Sequence, residues 1–220
     1  PRYTADGDVI IDKDGGQIVF APQSDGRFLA TNASPAVLTA AGDALHLRWP
    51  DSTLEVFGPD GAITARHALN GTALLFTYEA GRLSAITDTA TGLTTHYRYS
   101  AQGRIDRITD GVGRITDLAY DAAGLGLRRV SNARGVTEYD YVETASDPAW
   151  RALAGVRLPG GSEKRFAYDD HGRLAEAARP DGSERVTFAY DLGRITRTDA
   201  LGNHVALWLN RWGQWVRWQN

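Results

Sequence analysis

The sequence predicts an all-β protein assembled from tandem β-hairpins, and three observations carry that prediction. From Phe57 an aromatic residue followed by a glycine turn recurs every 21 residues, at Phe57, Tyr78, Tyr99, Tyr120 and Tyr141. A fixed period of this size marks units too small to bury their own hydrophobic face, which must therefore stack on their neighbours. A second turn follows each first one after about ten residues, at Asn70-Gly71, Asp88 to Gly92, Asp110 to Gly113, Asn132 to Gly135, Pro159 to Gly161, Asp181-Gly182 and Asp199 to Gly202. Between the turns lie short runs rich in Thr, Val, Ile, Leu and aromatics, as in Leu93 to Tyr99, which is the signature of strands bounded by turn residues.

Taken in order, the units share one plan. The first turns read Tyr78-Glu79-Ala80-Gly81-Arg82-Leu83, then Tyr99-Ser100-Ala101-Gln102-Gly103-Arg104-Ile105, then Tyr120-Asp121-Ala122-Ala123-Gly124-Leu125. Tyr141 opens an interval of 27 residues, six longer than the period, whose extra residues fall around Ala145 to Leu153 and predict a surface loop or short helix within an insertion near 144–160. The plan then resumes at Tyr168-Asp169-Asp170-His171-Gly172-Arg173-Leu174 and at Tyr190-Asp191-Leu192-Gly193-Arg194-Ile195. Glycine is wanted where such turns need positive φ. Phe76/Tyr78, Tyr97/Tyr99, Tyr139/Tyr141, Phe166/Tyr168 and Phe188/Tyr190 are two apart, so both rings of each pair share one strand face. Leu83/Ile86, Ile105/Ile108 and Leu127/Val130 are three apart, which fits either opposite faces or an intervening bulge.

These strings resemble the YD repeat of the Rhs family. The resemblance covers residues 57–218, with Gly61-Ala62-Ile63 and Gly124-Leu125 departing from it by lacking the turn arginine. Residues 1–56, with Asp12-Lys13-Asp14-Gly15-Gly16 and Trp49-Pro50-Asp51-Ser52, are similar to the strand-rich segment that leads into the repeats of an Rhs core. The resemblance implies a curved, spiralling sheet that is part of a hollow shell or barrel. It also implies a structural role: a wall segment enclosing a C-terminal toxin domain, delivered by a bacterial secretion apparatus such as type VI secretion. The implied partners are further shell repeats or another shell chain, the enclosed toxin and the secretion apparatus. Similar YD arrays in cell-surface adhesion proteins imply an alternative, a carbohydrate-binding module at the cell surface. The autoproteolytic Asp-Pro-x-Gly-Leu signature of the family is not matched by Asp147-Pro148-Ala149-Trp150.

Composition narrows the function classes. The chain has 220 residues, a net charge of −3, no Cys and no apolar run long enough for a membrane helix. Pro1 is not an initiator Met, so the start reflects processing or a cut boundary. Of 24 basic residues 22 are Arg, and Arg82, Arg104, Arg173 and Arg194 fall at fixed repeat positions, as does Arg27 in the lead-in, where they are expected to cover neighbouring tyrosines and pair with carboxylates. A near-neutral chain without a basic block is not a nucleic-acid binder. His46, His67, His96, His171 and His204 are scattered without metal-ligand spacing, and Asp169-Asp170-His171 reads as a solvated turn. No catalytic, metal or cofactor residue is assigned.

Trp208, Trp212, Trp215 and Trp218 cluster near the C-terminus. In repeat register Trp215 and Trp218 take the Leu/Ile positions of the other units and are expected to pack as wall residues, while Trp212, Trp215 and Trp218 are the candidates for a partner or sugar surface. Fifteen strands at ~4.8 Å spacing give a sheet about 70 Å wide. A guest of about 100 residues, with a diameter of roughly 35 Å, needs a wall about 140 Å around. The chain is therefore expected to be a piece of a longer wall, its aromatic last strand continuing into further repeats.

Overall fold

The computed structural model of the chain describes residues 1–13, 15–32, 34–210 and 212–219, and among these it contains twenty-two β-strands and no helix. The chain divides into two compact units. The first takes Pro1–Arg98 with Ile108–Arg114, and the second takes Tyr99–Arg107 with Ile115–Asn220. No helix among the described residues is long and apolar enough to cross a membrane.

The first unit runs through β1 (Arg2–Tyr3), β2 (Val9–Lys13), β3 (Gly16–Pro22), β4 (Arg27–Ala30), β5 (Val37–Ala41), β6 (Ala44–Arg48), β7 (Leu54–Phe57), β8 (Ile63–His67), β9 (Ala73–Glu79), β10 (Arg82–Asp88) and β11 (Thr94–Tyr99). Each strand pairs antiparallel with the next. Of the turn predicted at Asp12 to Gly16, Asp14 lies outside the described residues, and β2 and β3 flank it. β12 (Ile105–Thr109) gives residues to each unit.

The second unit continues through β13 (Ile115–Tyr120), β14 (Leu127–Asn132), β15 (Gly135–Tyr141), β16 (Leu153–Arg157), β17 (Glu163–Tyr168), β18 (Leu174–Ala178), β19 (Val186–Asp191), β20 (Arg194–Thr198), β21 (His204–Leu209) and β22 (Trp215–Gln219). These too pair consecutively and antiparallel, as tandem hairpins require.

Large fully buried side chains are confined to the segment before the repeats. Val9, Phe20, Leu38 and Leu47 have no accessible surface, and Ile11, Ala36, Leu45 and Phe57 complete their cluster. Alternation explains the set: Val9/Ile11 on β2 and Leu45/Leu47 on β6 are two apart and so face one side. The turn after β7 closes on the first residue, since a Cβ on Gly61 would sit 2.6 Å from the Pro1 carbonyl oxygen. Along the repeats the buried apolar residues are Ala73, Ala85, Ala149 and Ala178, so the larger side chains there remain partly exposed.

The three-residue spacings resolve as bulges. Leu83 pairs with Tyr78 and Ile86 with Phe76, the register shifting between Leu83 and Ala85. The same shift lets Leu127 and Val130 oppose Tyr120 and Leu118, Leu153 and Val156 oppose Tyr141 and Tyr139, and Leu174 and Ala177 oppose Tyr168 and Phe166. The extra residue keeps both apolar positions on the aromatic face, which strict alternation would forbid. The opposite face carries cross-strand charge: Arg157 pairs with Glu138 at 2.9 Å and Glu163 at 3.2 Å, and Arg165 with Glu163 at 2.8 Å. Such exposed pairs are weak singly, and their alternating order opposes a register slip.

Candidate functional site

The first repeated element is the turn. At Asp169 the backbone N–H donates to the Arg173 carbonyl and the Gly172 N–H donates back to the Asp169 carbonyl, closing a short hairpin loop with Gly172 at φ 74°. The Asp169 carboxylate accepts from the N–H groups of His171 and Arg173 through Oδ1 and from Arg173 Nε through Oδ2. Asp110 does the same for Val112 and Arg114, and Asp199 for Leu201 and Asn203. A carboxylate that accepts several N–H donors is stabilised in its charged form. The backbone N–H of Arg114, ahead of its side chain, accordingly holds the Asp110 carboxyl below its ordinary value.

The second element joins one hairpin to the next. The Tyr78 hydroxyl donates to the Ile63 carbonyl at 2.9 Å, Tyr120 to Ile105 at 3.0 Å, Tyr141 to Leu127 at 2.9 Å, Tyr168 to Leu153 at 2.7 Å and Tyr190 to Leu174 at 2.8 Å. The acceptor is the residue that faces the aromatic of the preceding hairpin, as Ile63 faces Phe57, Leu127 faces Tyr120, Leu153 faces Tyr141 and Leu174 faces Tyr168. Each motif tyrosine therefore ends its own strand on a bulge and reaches back across the seam to the hairpin before it. Burial pushes the Tyr168 hydroxyl pKa up, so the group stays a donor well above neutral pH.

The insertion is the third element. Residues 144–152 form two successive turns, closed by Asp147 N–H to Thr144 and Trp150 N–H to Asp147, in place of the predicted loop or short helix. Ala149 is buried, and Pro148 lies so close to the next first turn that a Cβ on Gly172 would meet its carbonyl oxygen at 2.6 Å. Arg151, at φ 68°, sends Nη2 to Asp121 Oδ2 at 3.1 Å. Asp121 also accepts from the N–H groups of Leu125 and Gly126. The insertion thus touches the first turn of the preceding repeat and that of the following one.

The RHS Repeat family profile matches residues 78–115 and 168–204, two stretches that contain the Tyr-x-x-Gly-Arg turn and the lock tyrosines Tyr78, Tyr168 and Tyr190. The chain belongs to the Rhs/YD-repeat family. No curated protein matches it. Among solved structures, the crystal structure of TcdB2-TccC3-Cdc42 is 15% identical over 95% of this chain, with a TM-score of 0.56. The Tc holotoxin pore of Photorhabdus luminescens is 15% identical over 93%, with a TM-score of 0.48. The chain spans 12% of the first and 15% of the second, and at this identity the first shows a common fold.

Within the RHS repeats the glycines Gly81, Gly103, Gly124, Gly172 and Gly193 all take positive φ. The arginines diverge. Arg173 lies over the Tyr190 ring, 4.3 Å from its centre, as the expected stacking requires. Arg104 Nε instead donates to the Gly124 carbonyl at 2.8 Å, and Arg194 pairs with Asp191 within its own turn. Arg82 opens β10 opposite Glu79, and Arg27 pairs with Asp25 at 2.9 Å in the lead-in. Arg128, which no motif position marks, covers Tyr141 at 5.3 Å. Tyr99 ends β11, half-buried.

Trp218 pairs in register with Leu207, on the aromatic face, yet it is 59% exposed, and Trp212 at its turn is 68% exposed. Trp218 lies in β22, which has the β21 ladder on one side, and Trp212 projects from the turn; exposure, in place of the packing expected of Trp218, follows from these positions. Trp215 opens β22, and its side chain lies outside the described part of the structure. Asp169, Asp170 and His171 place one ligand atom each within 4.8 Å, but Asp169 is spent on its turn and the other two are exposed. Sequence reasoning missed Arg151 and Asp121, a pair whose only advance signal was that both repeat departures, the missing turn arginine and the insertion, fall in neighbouring units.

Proposed function

We propose that this chain is a structural wall segment of an Rhs-type shell that encloses a C-terminal toxin domain for delivery by a bacterial secretion system. The single observation that carries the reading is the hydroxyl lock, repeated from Tyr78 to Tyr190, which joins hairpin to hairpin along the repeats without a second buried layer. Such a sheet spends its residues on lateral continuity, which suits a wall. The family match and the fold shared with TcdB2-TccC3-Cdc42 support the same reading. The partners are then further shell repeats or a second shell chain, with the toxin domain on one side, and the assembly works outside the producing cell.

Limited proteolysis of the product of the native reading frame tests this. A domain downstream of these residues that resists protease until the repeats are denatured fits a shell. A downstream domain cleaved at the rate of a free domain overturns it.

A second reading, a carbohydrate-binding or adhesion module, draws on exposed Trp212 and Trp218, since exposed indole faces can stack on sugar rings. Glycan-array binding abolished by Trp212→Ala and Trp218→Ala, with folding retained, selects that reading. Absence of glycan binding by the folded chain removes it.

A further inference from the structure

The hydroxyl lock has a break in its order. By register the acceptor after Leu174 is Ile195, which faces Tyr190 as Leu174 faces Tyr168. The donor position in the next hairpin is Leu209, which faces Trp215 across a register shift, as Tyr120, Tyr141 and Tyr168 face their partners. The separation from Ile195 to Leu209 is 14 residues, the same as between Leu127 and Tyr141. Leucine has no hydroxyl, so the seam between β20 and β21 lacks the side-chain bond that the seam between β18 and β19 has.

What remains across that seam is backbone: the five-residue ladder from Arg194–Trp208 to Thr198–His204, and the Leu209 N–H to the Gly193 carbonyl at 2.7 Å. Inside the following hairpin the contacts are retained. Arg217 lies over the Trp208 ring at 5.1 Å, and Asn210 caps the turn by accepting from the N–H groups of Trp212 and Gln214, each at 3.0 Å. Stacking partner and capped turn both belong to the β21–β22 hairpin and travel with it.

We propose that the seam between β20 and β21 is a built-in opening point, at which β21–β22 lifts from the array as one hairpin while the locked repeats up to β20 stay closed. The inference rests on the geometry of the lock and is independent of the shell reading. Local opening follows the least-held boundary between cooperative units, and a missing neutral hydrogen bond is enough to select it.

Hydrogen–deuterium exchange of the 220-residue chain, read peptide by peptide, tests it. Amides of residues 204–209 and 216–219 are expected to exchange together, faster than those of 186–198. Leu209→Tyr, which restores the donor, is expected to slow the first group about fivefold and to leave the second unchanged, the effect of one net hydrogen bond. Tyr190→Phe, in case the added ring fails to fit, is expected to speed exchange in 186–198 by a similar factor. Equal exchange of the two groups in the unaltered chain overturns the proposal. So does a Tyr190→Phe chain in which 186–198 keeps its protection, because the hydroxyl would then hold nothing.

Discussion

Arg151 Nη2 lies 3.1 Å from Asp121 Oδ2, across thirty residues of sequence, at a turn whose own arginine position is occupied by Leu125. At Asp169 the equivalent bond comes from Arg173, four residues on. The inserted segment therefore supplies from outside the guanidinium that the repeat omits. Arg151→Ala is expected to destabilise the second unit, and Leu125→Arg to recover part of the loss only in that background. A double-mutant cycle by urea denaturation checks this. Additive effects of the two substitutions would mean that they do not share Asp121.

The hydroxyl locks are neutral hydrogen bonds between half-buried groups. Tyr168→Phe keeps the ring and removes the bond to Leu153, so a loss of about 1 kcal/mol is expected in the midpoint of denaturant unfolding. Tyr139→Phe, which leaves every printed lock intact, is expected to change stability less.

Gly172 and Gly182 have nearly the same backbone, at φ 74° and 79°, but only Gly172 meets a neighbour. Gly182→Ala is expected to cost about 1–2 kcal/mol from the left-handed backbone alone. Gly172→Ala is expected to cost more, because its Cβ would collide with the Pro148 carbonyl and lift the insertion. Thermal denaturation of the two variants side by side reads the difference.

The first unit depends on a different term. Leu47→Ala empties a fully buried site and is expected to cost about 2–5 kcal/mol, where truncation of a half-buried Phe166 on the repeat face costs less. Calorimetry of each variant measures the two losses.

Acid stability follows from the capped turns. The backbone N–H of Arg114 depresses the Asp110 carboxyl, that of Leu125 the Asp121 carboxyl, and the Asn203 side chain the Asp199 carboxyl. A folded pKa below the unfolded value gives stability that is fully present above the unfolded pKa, about 3.9 for Asp, and is lost as pH falls through the folded pKa. The melting temperature is expected to be flat with respect to these groups from pH 5 to 7 and to drop below about pH 4. Asp110→Asn and Asp199→Asn are expected to make that drop shallower, since Asn210 shows that an amide can accept the same two N–H bonds without titrating.

The sequence made the repeat fold legible because its period, its Asx and Gly turns and its paired aromatics are all local signals. The bulges were not decided by it: Leu83 and Ile86 three apart fit two arrangements until Phe76 and Tyr78 are seen opposite them. The lock tyrosines were visible as motif residues, but their acceptors are backbone carbonyls of the preceding hairpin, which no side-chain pattern reveals. The core at Val9, Phe20, Leu38 and Leu47 lies where the period is absent, so repeat matching passed over it. Arg151 was hidden because an insertion has no register from which to predict a partner. The Trp218 position was read correctly as a Leu/Ile position, while its exposure depends on which strand lies beside β22.

Cryo-electron microscopy of the product of the native reading frame that contains these residues tests the wall assignment most directly. The prediction is a continuous sheet in which Tyr78 to Tyr190 run as successive hairpins of a wall, with density for another domain against one face. A map in which both faces of these hairpins meet solvent and no domain is enclosed would contradict it.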